Sequence, residues 1–205
     1  IIVIDDTSID RTVDVAKMLG AKVYPFSSET FAGKRNYALR KTKGKWVFYI
    51  DVDERVSPEL KAAILSAIEQ EDNIAYKVKR KNFYLGNYEW PEIENLDRLF
   101  KKNAFDEWYG AVHETARVKG KTGVLDGFLL HYTHRDLTSM VDKTIEWSQI
   151  EADLRLKANH PHMTWWRFFR VMLTGFYDSY IKQKGYKVGT AGLIESFSQG
   201  FSMFI

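Results

Sequence analysis

The tripeptide Asp51-Val52-Asp53 follows the apolar run Trp46-Val47-Phe48-Tyr49-Ile50, so two carboxylates stand where a buried strand should run out. Open α/β sheets bind ligands outside the carboxyl ends of their strands. At this spacing Asp51 can lean toward the sugar of a nucleotide while Asp53 holds a divalent ion that bridges its phosphates. Hard cations such as Mg²⁺ or Mn²⁺ take oxygen ligands, combining few carboxylates with phosphate oxygens and water. A second acidic segment, Asp5-Asp6-Thr7-Ser8-Ile9-Asp10, closes the run Ile1-Ile2-Val3-Ile4 and offers Asp5 or Asp6 to a nucleobase imide or a ribose hydroxyl. Either segment alone also reads as a helix cap or an Asp-rich turn. Two such segments, each closing a strand, favour the nucleotide.

Three further groups carry chemistry. Gly33-Lys34-Arg35-Asn36 opens an expected helix with positive charge, which the helix dipole disfavours unless an anion is near. A diphosphate would remove the conflict, and Arg35 offers the better fork for it. Glu114 follows Gly110 and two aromatic residues, Trp108 and Tyr109, and is the candidate general base, with Asp97 beside Arg98 in reserve. Among His113, His131 and His134 no pair has the helical spacing of a zinc enzyme. His131, closing an apolar strand, is a candidate further ligand for the metal or diphosphate.

These side chains need a scaffold that brings strand ends together. Helical periodicity after Asp10 (Val13, Ala16, Leu19) stops at Gly20, a short strand follows at 21–24, and a helix over 33–43 precedes the strand 46–50. Ser57-Pro58-Glu59 opens a further helix with a cap, a first-turn proline and an acidic N-terminus. This β-α-β grammar predicts a Rossmann-like, mostly parallel sheet with right-handed crossovers. Beyond Asn73 short strands at 74–80, 83–85, 96–101, 115–118 and 128–131 lack intervening helices, which predicts a mixed, antiparallel edge. Residues 136–157 then read as a long amphipathic helix broken at Pro161. The expected division is a catalytic domain over 1–135 and a helical extension over 136–205.

The composition sets bounds on partners. With 205 residues, 45% apolar and 28% charged, the chain can bury one substantial core. It has no cysteine, which excludes disulfides and thiolate zinc sites. The net charge of +3 resides in residues 161–205, where Arg167, Arg170, Lys182, Lys184 and Lys187 face only Asp178 and Glu195. A nucleic-acid binder would carry a more basic core, so none is expected. The same tail is dense in aromatics: Trp165, Trp166, Phe168, Phe169, Phe176, Tyr177 and Tyr180 interleave with Arg167 and Arg170. It reads either as packing on the core or on a second subunit, or as an interfacial helix on anionic lipid. The absence of an initiating Met and the mid-sheet character of Ile1-Ile2-Val3-Ile4 suggest a piece of a longer chain.

In order and spacing, Val3-Ile4-Asp5-Asp6-Thr7-Ser8-Ile9-Asp10-Arg11-Thr12, Gly33-Lys34-Arg35-Asn36-Tyr37-Ala38-Leu39 and Gly44-Lys45-Trp46 through Asp53-Glu54 resemble the nucleotide-binding half of glycosyltransferase family 2. The likeness is closest to the small bacterial branch of lipopolysaccharide-core glucosyltransferases, and it extends through Asp97-Arg98-Leu99-Phe100 and Gly110-Ala111-Val112-His113-Glu114. The sequence departs from the pattern at Ile9, where a small or polar residue is usual, and lacks the usual first strand. The resemblance implies a GT-A like fold and an inverting, metal-dependent transfer from a nucleoside-diphosphate sugar, a UDP-sugar being favoured, with Mg²⁺ or Mn²⁺. The acceptor would be a glycan or lipid-linked sugar in cell-envelope polysaccharide synthesis. The enzyme would then work in the cytoplasm at the inner face of the membrane, with a homo-oligomer allowed. Two rival readings are a nucleotidyltransferase that makes sugar nucleotides and a catalytically silent, membrane-associated nucleotide-binding scaffold.

Overall fold

The computed structural model describes residues 1–28, 30–70, 72–110, 114–157, 159 and 164–203. Chain order is β1 (Ile2–Asp5), α1 (Thr12–Met18), β2 (Lys22–Pro25), α2 (Phe31–Lys41), β3 (Trp46–Phe48), β4 (Glu54–Val56) and α3 (Pro58–Gln70). The strands β5 (Ala75–Tyr84), β6 (Tyr88–Lys101), β7 (Phe105–Tyr109), β8 (Thr115–Val118) and β9 (Thr122–Tyr132) follow, then α4 (Leu137–Lys157), α5 (Trp165–Tyr177) and α6 (Gly189–Ser202). The fold is mixed α/β. Among the described residues β1 pairs with β2 in parallel, as the β-α-β grammar requires, and five strands form a sheet in the order β3-β6-β5-β9-β4. The antiparallel character expected of the second half reaches further back: β3 pairs antiparallel with β6, and β4 with β9. β4 and β7 were not among the expected strands: the three residues of β4 sit inside the charged segment after Asp53, and β7 lies between the expected strands 96–101 and 115–118.

The chain divides into two compact units. The first comprises Ile1–Ile50, Ala63–Val78 and Asp97–Leu125. Its core gathers Ala32, Val47, Tyr49, Ala75, Phe100, Phe105 and Trp108. Tyr49 meets Phe100, Phe105 and Trp108 edge-on, with centroids 5.2–6.2 Å apart, the geometry ring quadrupoles favour. Burial pushes its hydroxyl up to about 12, and that hydroxyl donates to the Arg35 carbonyl at 3.3 Å. Helix α2 begins where Thr30 Oγ1 accepts from the Gly33 amide at 3.1 Å. It is pinned to β7 by Asn36, whose Nδ2 donates to the Trp108 carbonyl and whose Oδ1 accepts from the Trp108 amide, both at 2.8 Å. A single amide side chain thereby mimics a strand partner.

The second unit comprises Asp51–Ala62, Lys79–Leu96 and Asp126–Ile205. In it β4 lies against β9 with Glu54 opposite His131, Arg55 opposite Leu130 and Val56 opposite Leu129. Ser57 Oγ accepts from the amides of Leu60 and Phe128, each at 3.2 Å, which caps α3 and fastens its start to β9. Gly127, at φ +86, allows this approach: a Cβ there would lie 2.2 Å from the Leu60 nitrogen. Toward the C-terminus α5 packs on α6 with Gly175 and Gly200 at the crossing, and Ser179 donates to Ser196 at 3.1 Å inside. Trp90, in β6, donates its indole proton to Gln183 at 3.0 Å.

Two outcomes test this packing. Gly127→Ala is expected to destabilise the protein by about 3 kcal/mol or more, because the clash is with backbone and the residue must also hold a positive φ. Asn36→Ala is expected to cost about 2 kcal/mol by leaving the Trp108 amide and carbonyl without partners. Urea denaturation followed by circular dichroism measures both, and an unchanged midpoint in either variant would contradict the packing.

Candidate functional site

Unit 1 holds five of the residues that the sequence singles out. Asp5, at the end of β1, is buried, and its Oδ2 accepts from the Ser8 amide at 3.2 Å, so the acidic loop is drawn into a turn. Asp6 points outward and pairs with Lys34 of α2. The Lys34 hydrogen bond, helped by Ser27, holds the Asp6 carboxyl below its ordinary value. Arg35, expected to face a phosphate, has its guanidinium on Glu114 and 4.7 Å above the Trp108 ring. Both members of that pair are mostly shielded, at 15% and 12% side-chain exposure. The structure therefore joins the expected phosphate fork to the expected base; of the two preceding aromatics Trp108 lies buried under Arg35, and Tyr109 is 46% exposed. His113 lies outside the described residues. Arg98, beside the reserve base Asp97, is buried at 3% and its carbonyl accepts from the Tyr49 amide at 2.9 Å.

Unit 2 holds the other three. Asp51 and Asp53 flank the turn that leads into β4, and the Glu54 amide donates to the Asp51 carbonyl at 3.1 Å. The Asp53 carbonyl accepts from the Tyr132 amide at 3.0 Å, which fixes the turn beside the end of β9. There Asp53 Oδ2 lies 3.3 Å from His131 Nε2 and 3.8 Å from Lys143 Nζ of α4. The His131 hydrogen bond, with the charges of His131 and Lys143, holds the Asp53 carboxyl down at about 2. His134 pairs instead with the buried Glu195 of α6 at 3.4 Å, which leaves it a packing role.

Whether Asp53 and His131 suit a divalent cation is decided by donor chemistry. Two ligands about 2.1 Å from one hard ion at a right angle stand roughly 3 Å apart. The observed 3.3 Å between Oδ2 and Nε2 is close to that spacing. Among the described residues no three His, Asp or Glu side chains gather into a closed metal cage. An open two-ligand set is what an ion that also binds phosphate oxygens and water requires. The residues fit the group.

Sequence reasoning missed Lys143, Arg80, Asn82 and Glu94. Arg80 and Asn82 stand two apart in β5, hence on one face, and that alternation was a readable signal. Glu94 gave no signal of its own.

An uncharacterized glycosyltransferase of Rickettsia typhi is 25% identical over 221 residues, covering 100% of this chain and 75% of its own length. The lipopolysaccharide core biosynthesis glycosyltransferase LpsC of Rhizobium meliloti is 24% identical over 219 residues, covering 100% of this chain and 80% of its own. Among solved structures, S. aureus TarS 1–349 in complex with UDP-GlcNAc superposes with a TM-score of 0.47 and 12% identity, covering 100% of this chain and 72% of that one. The family model of Glycosyl transferase family 2 matches residues 1–125, a span that contains Asp5, Asp6, Lys34, Arg35, Asp51, Asp53 and Glu114, and the chain belongs to that family.

Proposed function

We propose that this chain transfers a sugar, with inversion, from a nucleoside-diphosphate sugar to a glycan or lipid-linked acceptor of the cell envelope. The observation that carries the reading is the presentation of Asp53 Oδ2 and His131 Nε2 at 3.3 Å beside the Asp51 turn. Membership of the family and likeness to an enzyme named for lipopolysaccharide core biosynthesis support it. A UDP-sugar is the donor we favour.

In this reading Asp5 and Asp6 receive hydrogen-bond donors of the nucleoside, and Asp51 receives the ribose. Asp53 and His131 would hold Mg²⁺ or Mn²⁺, which supplies positive charge for the departing diphosphate. Glu114 takes the proton of the acceptor hydroxyl as its oxygen bonds to the anomeric carbon and the bond to the diphosphate breaks. Arg35 orients Glu114 through their ion pair, and Lys34 beside Asp6 is the cation available to phosphate. The catalytic part would span 1–135, with 136–205 as its extension.

That extension supports peripheral attachment to the inner face of the membrane. Trp166, Phe169, Leu173 and Tyr177 recur at helical spacing along α5 and are 48–68% exposed. With Arg167, Arg170 and Lys182 they line a groove of about 800 Å³. Apolar rings flanked by cations are the composition of an interfacial helix. Among the described residues no helix is long and apolar enough to cross a membrane.

Two experiments test the proposal. Saturating UDP is expected to raise the melting temperature in the presence of Mn²⁺ and not in its absence, a 100-fold excess over Kd giving about 2.7 kcal/mol. Asp53→Ala should abolish the shift, and equal shifts in both proteins would overturn the metal role. Separately, the protein should sediment with phosphatidylglycerol vesicles and not with neutral ones, and Trp166→Ser with Leu173→Ser should weaken this several-fold. Failure of the unmodified protein to sediment would end the membrane reading.

A further inference from the structure

The imidazole of His131 is held from behind. Its Nδ1 lies 2.8 Å from Asn82 Oδ1, while Asn82 Nδ2 donates to Glu94 Oε1 at 3.0 Å. Glu94 in turn accepts from Arg80 through Nε at 2.9 Å and through a second guanidinium nitrogen. The third nitrogen of Arg80 donates to Glu54 Oε1 at 3.2 Å, and Glu54 Oε2 accepts from the Asp51 amide at 2.9 Å. The chain of contacts thus starts at the Asp51 backbone and ends at the ring beside Asp53, passing through β4, β5, β6 and β9.

Each link has a fixed polarity. Arginine only donates, so both carboxylates turn acceptors toward it. A carboxylate oxygen facing Asn82 can only accept, which obliges the amide to present Nδ2 to Glu94 and therefore Oδ1 to His131. An amide oxygen only accepts, so His131 Nδ1 must carry the proton. In the neutral ring the remaining nitrogen, Nε2, then has a lone pair, and this lone pair faces Asp53 Oδ2. When the ring carries a second proton Nε2–H donates to Asp53 instead, and Nδ1–H stays on Asn82 in both forms. Ligating histidines characteristically hand their other ring proton to a carbonyl in this way.

We propose that Glu54, Arg80, Glu94 and Asn82 are positioning residues that lock His131 in its Nδ1–H form, so that Nε2 is presented with Asp53 as a ready ligand pair for a divalent cation. The inference rests on the cation reading above. Because Glu54 also holds the Asp51 amide, the same four side chains set the turn and the ring together.

The test uses the full chain with ¹⁵N-labelled histidine and no metal, reading the ring nitrogens at a pH where His131 carries one ring proton. His131→Gln assigns the signal. The unmodified protein is expected to show Nδ1–H. Glu94→Gln, whose side-chain amide donates as well as accepts, frees Asn82 to flip and is expected to admit the Nε2–H form. Mn²⁺ binding in the presence of UDP, read by electron paramagnetic resonance, is expected to weaken roughly 10- to 100-fold in the same variant. Should that variant fail to fold, Asn82→Leu removes the acceptor directly and carries the same expectations. An Nε2–H ring in the unmodified protein, or a ring indifferent to these substitutions, overturns the relay. An Nδ1–H ring in a protein that takes up no Mn²⁺ with UDP upholds the relay and overturns the cation reading, so the two failures are distinct.

Discussion

Glu54 is a carboxyl side chain where water does not reach, and the positions of Asp51, Asp53 and His131 follow from how its two oxygens are satisfied. Its side chain is 0% exposed, and an unpaired carboxylate in such a place costs several kcal/mol. One oxygen takes a guanidinium proton from Arg80 and the other takes the Asp51 amide. The first bond ties β4 to β5. The second curls the acidic segment back onto its own strand, so that Asp51 and Asp53 are held by a buried anchor instead of trailing in solvent. Residues directly opposite in an antiparallel pair share a face, so Glu54 and His131 lie side by side across β4 and β9. Packing, turn and ligand geometry meet in this one residue.

A comparable economy operates in the first unit. Asn36 fastens α2 to β7 through two hydrogen bonds to one residue, Trp108. Immediately before it on the same helix are Lys34 and Arg35, and Arg35 lies over the ring of that same tryptophan. Trp108 is therefore both the anchor of the helix and the floor under its functional side chain. Its burial at 5% and its edge contacts with Tyr49, Phe100 and Phe105 make that floor rigid.

Legibility in the sequence followed the range of the forces involved. The early helices and β1, β2 and β3 were readable because caps, glycine stops and apolar periods are local, and their ends shifted by only a few residues. The short β4 was not, since Glu54-Arg55-Val56 has no strand character until β9 lies beside it. Asp53 and His131 were picked as separate candidates from chemistry, and the contact between them is long-range information that one sequence does not contain. Asp6 and Lys34 were likewise chosen independently as partners for a donor, and Arg35 and Glu114 as phosphate fork and general base, while folding pairs Asp6 with Lys34 and Arg35 with Glu114. The intervening Arg80 and Asn82 offered only their alternation along β5, which does not tell a solvated strand face from a wired one, and Glu94 looked like an ordinary polar strand residue.

The register of β4 on β9 has an evolutionary corollary. Side chains along a strand alternate between faces, so inserting one residue after Leu129 would swing the imidazole to the opposite side and present Leu130 in its stead, and deleting Leu130 would present Tyr132. Length variation in this stretch can be accommodated only two residues at a time, or by a compensating bulge. The adjoining loop before α4 is under no such parity rule, which makes it the natural place for this scaffold to diversify.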